Sequence, residues 1–359
     1  MTNTRELDGS SAGGQFLRTA LALSVLEGEP IRIEHVRGDR PTPGLRHQHL
    51  AVLETMAELT DAEVSGTEVG AETVEFAPGR AADGADDRPA VTAGTYEVSI
   101  GTAGSITLLF DAVLPLATVL ESPLSITASG GTDVKWSPPI EYFQHVKLPL
   151  LRRFGLNAAC EVHQRGFYPA GGGRATLHLA PSEIDAIDLT ERGSLEGVRC
   201  YSTEAADLAD RDVAHRQAEG ALERLDETLE STVCERRETT AASACPGSAI
   251  VLRLEHEIGV AGFTALGERG TPAERVGEDA ADAANRFLEG DAPVDRYLGD
   301  QLLVVLALAG GRLRVPSVTD HVAASCDLLE SFDVPVDRVP DGDGALLTVD
   351  ASDVLDGWS

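Results

Sequence analysis

The sequence predicts an α+β fold: three βαβαββ-type repeats forming one large domain, with a smaller α/β domain inserted before the third repeat. Three observations carry this expectation. Strand-like and helix-like hydrophobic patterns alternate in a fixed order. That order recurs after roughly 90 residues, about the size of a small α+β unit. A stretch at 183–290 then departs from the pattern before it resumes. The large domain therefore comprises 1–182 and 291–359, and the inserted α/β domain comprises 183–290.

The first copy opens with a short strand at 5–7 and a glycine turn. A helix follows at 15–26, where Phe16, Leu17, Ala20, Leu21 and Leu23 recur at helical spacing. A strand at 31–36, an arginine-rich turn, a helix at 45–59 and strands at 62–65 and 73–76 complete the unit. The second copy repeats the order. It has a strand at 96–100, a glycine turn at 101–105 opening a helix to 116, and a strand at 124–128. The turn 130–139 precedes a helix at 140–154 and strands at 159–163 and 174–179. The third copy has a helix at 297–309, a strand at 313–315, a helix at 320–332 and strands at 334–338 and 345–349. Its leading strand stays unassigned. Within the inserted stretch, strands are expected at 197–201, 231–239 and 249–256, and helices at 213–229 and 272–288. Residues 79–94, rich in Ala, Asp, Gly and Pro, read as a mobile surface loop.

Composition bounds the function. With 42% hydrophobic residues in 359, a sizeable core is available, which argues against global disorder. No apolar run reaches the length of a membrane span, and no basic segment followed by an apolar stretch opens the chain. The expectation is a cytoplasmic protein without membrane contact. Acidic residues number 59 against 29 basic ones, and only Lys135 and Lys147 are lysines. Such acidity fits a salt-rich cytoplasm, where net charge maintains solubility and salt screens self-repulsion. It argues against broad non-specific nucleic-acid binding but not against a local basic groove. Cys160, Cys200, Cys234, Cys245 and Cys326 are scattered, odd in number and without a Cys-x-x-Cys pair, so they read as free thiols.

Against this acidic background the run RGDRPTPGLRHQHL at 37–50 concentrates three arginines, two histidines and a glutamine. The arginine fork suits phosphate oxygens, so the turn reads as an anion site. Asp8–Gln15 is a small-residue loop opening a helix, either a plain tight turn or a phosphate cradle, with Arg18 on the side of Gln15. Residues 100–105 form the matching turn of the second copy, where the repeat itself can account for the glycines. Residues 165–173 link two strands; Arg165 and Tyr168 there are candidates for ion pairing and base stacking, or parts of a long hairpin loop. His321 stands at the start of the last helix. It is a surface or capping residue or else a nucleophile, since neutral imidazole attacks activated phosphorus and a helix N-terminus keeps it neutral. Asp300 and Gln301 precede an apolar run and either face solvent or contact a nucleotide.

Taken together, the segments DGSSAGGQFLRTALALS (8–24), RGDRPTPGLRHQHL (37–50), IGTAGSITLLFDAVLP (100–115), GGTDVKWSPP (130–139), RGFYPAGGG (165–173) and YLGDQLLVVLALAG (297–310) resemble the RNA 3′-terminal phosphate cyclase family, in an archaeal, halophile-like form. The resemblance spans nearly the whole chain. It implies three βαβαββ repeats with an inserted α/β domain. It implies ATP and a divalent metal (Mg2+ or Mn2+) as cofactors and an RNA with a 3′-phosphate end as partner. The implied reaction begins with a histidine taking AMP from ATP. AMP passes to the RNA 3′-phosphate, and the neighbouring 2′-hydroxyl displaces it to leave a 2′,3′-cyclic phosphate.

By the same resemblance His321 matches the nucleophile. Tyr297, Leu298, Gly299, Asp300 and Gln301 match a Tyr-Leu-Ala-Asp-Gln segment that contacts the nucleotide, with Gly299 in place of alanine. Asp111 stands where the family has a glutamine near the nucleotide. Arg18, Arg37, Arg40, Gln48 and His49 match polar positions facing the phosphates. The first loop is shorter than the family's Gly-Glu-Gly-Gly-Gly-Gln and lacks the glutamate that places the metal. The metal ligands are therefore unassigned, with Asp8, or phosphate oxygens and water, as substitutes. Residues 322–325 also lack the usual hydroxyl and asparagine pattern.

Two other readings share this fold. A non-catalytic relative would serve as a ribosomal-RNA-processing scaffold, a reading favoured by the missing glutamate and Asp111 and opposed by His321 and Asp300-Gln301. An enolpyruvyl transferase built from similar repeats needs no adenylylated histidine.

Overall fold

The structure, a computed structural model, describes residues 4–11, 13–79, 91–101 and 103–355. The expected surface loop at 79–94 lies largely outside the described residues. Strands and helices mix throughout in four separate sheets, the α+β class that the alternating patterns predict.

The first repeat runs β1 (Arg5–Asp8), α1 (Gly14–Glu27), β2 (Ile31–Glu34), α2 (His47–Thr60), β3 (Glu63–Ser65) and β4 (Val74–Ala77). β1 and β2 are parallel, β2 and β4 antiparallel, and β3 pairs antiparallel to β4, giving the order β1-β2-β4-β3. α1 ends at Gly28, whose φ of 63° lets its N–H and that of Glu29 turn back onto Val25 and Ser24 carbonyls.

The second repeat has β5 (Gly94–Ser99), α3 (Ile106–Val113) continued by a 3-10 turn at Leu114–Thr118, and β6 (Leu124–Gly130). Then come α4 (Ile140–Tyr142), a π turn at Phe143–Lys147, α5 (Leu148–Arg153), β7 (Ala158–Gln164) and β8 (Gly173–Leu179). The helix expected at 140–154 is thus one element with a wide turn inside it. Pro149 has no N–H to give the carbonyl of His145, so the regular ladder cannot run through. The sheet order β5-β6-β8-β7 copies the first.

β9 (Ile187–Leu189) corrects the sequence reading. It lies in the segment assigned to the inserted domain, but it pairs in parallel with β14 and supplies the missing leading strand of the third repeat. The inserted unit follows: β10 (Leu195–Ala205), α6 (Val213–Arg224), α7 (Glu227–Glu230), β11 (Val233–Ala241), β12 (Ser248–His256), β13 (Val260–Leu266) and α8 (Ala273–Leu288), with sheet order β11-β10-β12-β13. The strand at Val260–Leu266 was not anticipated.

The third repeat resumes with α9 (Arg296–Gln301) and α10 (Leu303–Ala309), separated at Leu302 within the single helix expected there. β14 (Gly311–Val315), α11 (Asp320–Ser331), β15 (Asp337–Asp341) and β16 (Gly344–Val349) follow, and β15 begins later than the expected 334. The order β15-β16-β14-β9 repeats the same topology.

One continuous apolar cluster joins the three repeats, running from Leu21 and Leu53 through Phe110 and Phe143 to Leu306 and Leu329. A second cluster, with Val198, Ala218, Leu252 and Ala280, belongs to the inserted unit alone. Each unit therefore has its own apolar interior. No described helix is long and apolar enough to cross a membrane.

Candidate active site

The shared topology has a geometric consequence. A cleft of about 880 Å3 is lined by the opening residues of α1, α2, α3, α9 and α11 and by the turn before α4. Helix N-termini present unpaired N–H groups and a partial positive charge, so a cavity ringed by them favours anions.

Nearly all the residues singled out by sequence meet here. Arg18, Arg37, Arg40, Gln48, His49, Asp111, Tyr297, Asp300, Gln301 and His321 line the cleft. Leu298 and Gly299 do not. Leu298 is fully buried, and a Cβ on Gly299 would meet Val315 at 3.1 Å, so these two pack α9 onto the third repeat. The turn of the helix places Tyr297, Asp300 and Gln301 at the cleft and Leu298 and Gly299 in the core.

His321 occupies the first turn of α11, which Thr319 caps by accepting the Val322 N–H at 3.2 Å. Its ring is exposed in the cleft, its Cε1 3.3 Å from where a Cβ on Gly13 would stand. Arg40 Nη2 lies 3.6 Å from the same point. Burial, then the Arg18 and Arg40 guanidinium groups, push the His321 imidazole below its ordinary pKa. It is neutral at pH 7, with a lone pair available on a ring nitrogen.

His49 is held more tightly. Its Nδ1 accepts the Arg46 backbone N–H at 3.1 Å, which leaves the proton on Nε2. Nε2 points at Gly14, where a Cβ would come within 2.3 Å, and Arg18 Nη1 lies 3.2 Å from that same position. Burial and then Arg18, Arg37 and Arg46 lower the His49 pKa to about 3. Gly14 is thus required by close approach: the His49 ring fills the room that a Cβ would take, whereas a Cβ on Gly13 would meet His321 only at 3.3 Å. Arg37 is committed to its own turn, its Nη1 donating to the Thr42 and Gly44 carbonyls at 3.1 and 2.9 Å.

Contacts across the cleft tie the repeats together. Gln48 Nε2 donates to the Ser105 carbonyl at 3.1 Å, and Gln15 Nε2 donates to the Asp300 carbonyl at 3.4 Å. Asp295, the N-cap of α9, accepts the Tyr297 and Leu298 N–H groups, the Gly262 N–H and the Tyr142 hydroxyl, so the second repeat and the inserted unit both orient Tyr297. Two acceptors, Gln48 Oε1 and Gln301 Oε1, are buried without a partner in the described structure. Buried orphans of this kind are uncommon and suit a ligand that donates.

Sequence reasoning missed Lys147. Its buried ammonium pairs with Asp111 behind the cleft. Burial pushes the nearby Asp300 carboxyl up to about 7, with Lys147 opposing the rise and Asp111 adding to it. The available signal was composition: Lys147 is one of two lysines in a chain whose other cations are all arginine. Trp136 and Arg296 were also missed as lining residues; the Arg296 guanidinium sits 5.0 Å from the Tyr297 ring centre.

Arg165 is a correction. It is buried and bridges Glu141 and Asp133, with Nη1 to Glu141 Oε1 at 2.6 Å and Nη2 to Asp133 Oδ1 at 3.0 Å, so it is not available to a nucleic acid. Tyr168 beside it is 60% exposed. Asp8 fails as a substitute metal ligand. Its carboxylate accepts from the Ser10 N–H and hydroxyl at 3.0 Å and faces His35, outside the cleft. Among the described residues no group of three His, Cys, Asp or Glu side chains is placed to hold a metal. The residues present do not fit a protein-built cage, although magnesium held by phosphates and water requires none. The five cysteines are free.

The cleft can therefore hold a polyanion against cations and helix ends, present a neutral imidazole to it, and offer the Tyr297 ring to a planar base. Comparison with known proteins adds to this. A family profile described as RNA 3′-terminal phosphate cyclase matches residues 10–334. A Halobacterium salinarum protein named RNA 3′-terminal phosphate cyclase is 49% identical over 95% of this chain and 98% of its own length. A Thermococcus onnurineus protein of the same name is 41% identical, over 91% and 92%. One from Ralstonia nicotianae is 39% identical, over 91% of each. With the profile covering most of the chain and the three-repeat cleft intact, this chain belongs to the RNA 3′-terminal phosphate cyclase family.

Proposed function

We propose that this chain converts an RNA 3′-terminal phosphate to a 2′,3′-cyclic phosphate at the expense of ATP, through a covalent histidine–AMP intermediate on His321. The observation that carries the proposal is the neutral imidazole of His321, exposed at a helix N-terminus in the cleft that Arg18 and Arg40 also line.

In this reading the ring-nitrogen lone pair attacks the α-phosphorus of ATP. The bond to the β-phosphate oxygen breaks and pyrophosphate leaves. An oxygen of the RNA 3′-phosphate then attacks the same phosphorus, the P–N bond breaks, and imidazole leaves with its electron pair. Last, the 2′-oxygen attacks the RNA phosphorus and gives its proton to solvent water, the bond from that phosphorus to the bridging oxygen breaks, and AMP leaves with that oxygen. Every step builds negative charge on non-bridging oxygens. Arg18 and the N–H groups at the starts of α1 and α11 are the fixed positive partners for that charge at the nucleotide, and Arg40 is the partner at the RNA phosphate. His49, neutral and locked by Arg46, donates through Nε2 without adding a cation. Tyr297 supplies a ring face for adenine, and Gln301 Oε1 supplies an unpaired acceptor.

The test is a labelling experiment. The protein is incubated in high salt with magnesium or manganese and ATP labelled at the α-phosphorus. Acid-labile, alkali-stable protein label, absent in His321→Asn, is the expected result. A wild-type protein that takes no label under any salt or metal condition would return the chain to the scaffold reading.

A further inference from the structure

Beside the cleft runs a second groove of about 930 Å3 to which no role has been assigned. One wall is the second repeat, with Lys135 and the Phe167–Pro169 turn. The other is the inserted unit, with Arg211 and the 267–271 loop. Lys135 and Leu266 line both cavities, so the groove leads directly out of the cleft.

In this strongly acidic chain many surface arginines, Arg32, Arg236 and Arg338 among them, pair with carboxylates. Arg211 and Arg269 form no ion pair with a described residue. Two aromatic rings stand out at the join, Trp136 at 92% exposure and Tyr168 at 60%. Lys135 reaches across to Glu268 at 2.8 Å, an exposed pair worth little to stability and readily exchanged for another anion. Asp207 and Glu268 also line the groove, so its positive charge is local rather than broad.

We infer that this groove holds the RNA strand on the 5′ side of its reactive phosphate. Cations spaced along a channel with exposed rings between them suit single-stranded nucleic acid, with phosphates on the cations and bases on the rings. The terminal phosphate enters the cleft. The preceding nucleotides pass Trp136 and Tyr168, and a backbone phosphate takes the place of Glu268 on Lys135. The inserted unit then has a role: it forms the far wall of the track. Stacking matters particularly here, because high salt weakens the phosphate contacts but not the ring contacts.

This inference rests on the proposed function, but its test reads binding rather than catalysis. Affinities are measured without ATP for a dinucleotide and a dodecanucleotide, each with a 3′-phosphate. The wild-type protein is expected to bind the dodecamer at least tenfold more tightly. Combining Tyr168→Ala, Arg211→Ser and Arg269→Ser should remove most of that advantage, about tenfold on the scale of one lost base stack, and leave the dinucleotide and self-adenylylation unchanged. In the wild-type protein, 4-thiouridine placed two to four nucleotides from the end should crosslink to the Tyr168 turn or the 267–271 loop. Equal affinity for both lengths, or crosslinks confined to another face, overturns the groove. Length-dependent binding without any covalent label would instead overturn the cyclase reading and support the groove.

Discussion

Acidification should unfold this protein in part through His49, and the size of that contribution follows from its surroundings. The ring accepts the Arg46 N–H at Nδ1, so a second proton would have to displace that bond. It would also add a cation beside Arg18, Arg37 and Arg46 in a buried place. The folded-state pKa is accordingly about 3, against 6.5 in the unfolded chain. The folded pKa is depressed, so between these values the unfolded state binds more protons and stability rises with pH. The contribution is fully present above about 6.5 and is lost as pH falls toward about 3. From pH 7 to pH 5 the unfolded chain gains nearly one proton at this site that the folded chain refuses. At about 1.4 kcal/mol per pH unit below 6.5, His49 alone costs roughly 2 kcal/mol, more than tenfold in the folding equilibrium. His49→Gln keeps an acceptor for Arg46 but removes the titration. Urea unfolding in high salt at pH 7 and pH 5 compares the two proteins. The drop in unfolding free energy should be smaller in His49→Gln by roughly that 2 kcal/mol. Relief of charge repulsion on acidification is common to both and cancels. Equal drops would refute the placement of His49 as a buried neutral ring.

Gly14→Ala sets a methyl 2.3 Å from His49 Nε2, so the ring or the start of α1 must move; displacement on the 1 Å scale should cut self-adenylylation by about 100-fold, measured as the labelling rate, and a loss under threefold would show that the close approach is dispensable. Lys147→Met leaves Asp111 unpaired and partly buried beside Asp300; destabilisation of about 3–5 kcal/mol is expected, read as a lowered urea midpoint at constant slope, and an unchanged midpoint would contradict it. Arg40→Ala should leave self-adenylylation within a few-fold and slow cyclisation of RNA 3′-phosphate by at least tenfold, since the exposed Arg40 lines the cleft as the proposed partner of the RNA phosphate; equal losses in the two assays would assign Arg40 to the nucleotide instead.

What the sequence determined by itself was whatever short-range pattern encodes. Apolar spacing in α1 and α2, and the alternation in β6 and β8, reflect which face of each element is buried, and that can be read within one or two turns of chain. The loops at 8–15, 37–50, 130–139 and 297–301 were legible because their residue types are unusual for an acidic chain, and the repeat placed them at equivalent positions. The tertiary structure decided the rest. β9 has only three residues, and the whole inserted unit separates it from α9, so no local period marks it; only its pairing with β14 assigns it to the third repeat. Arg165 reads as a cation free for nucleic acid until Glu141 and Asp133 are seen to enclose it. Lys147 reads as one helix residue among others until Asp111 and Asp300 arrive from two other elements. Whether a charged side chain is solvated, paired or catalytic depends on neighbours tens to hundreds of residues away. Hydrophobic period carries no information on such contacts, and the packing of three repeats around one cleft supplies it.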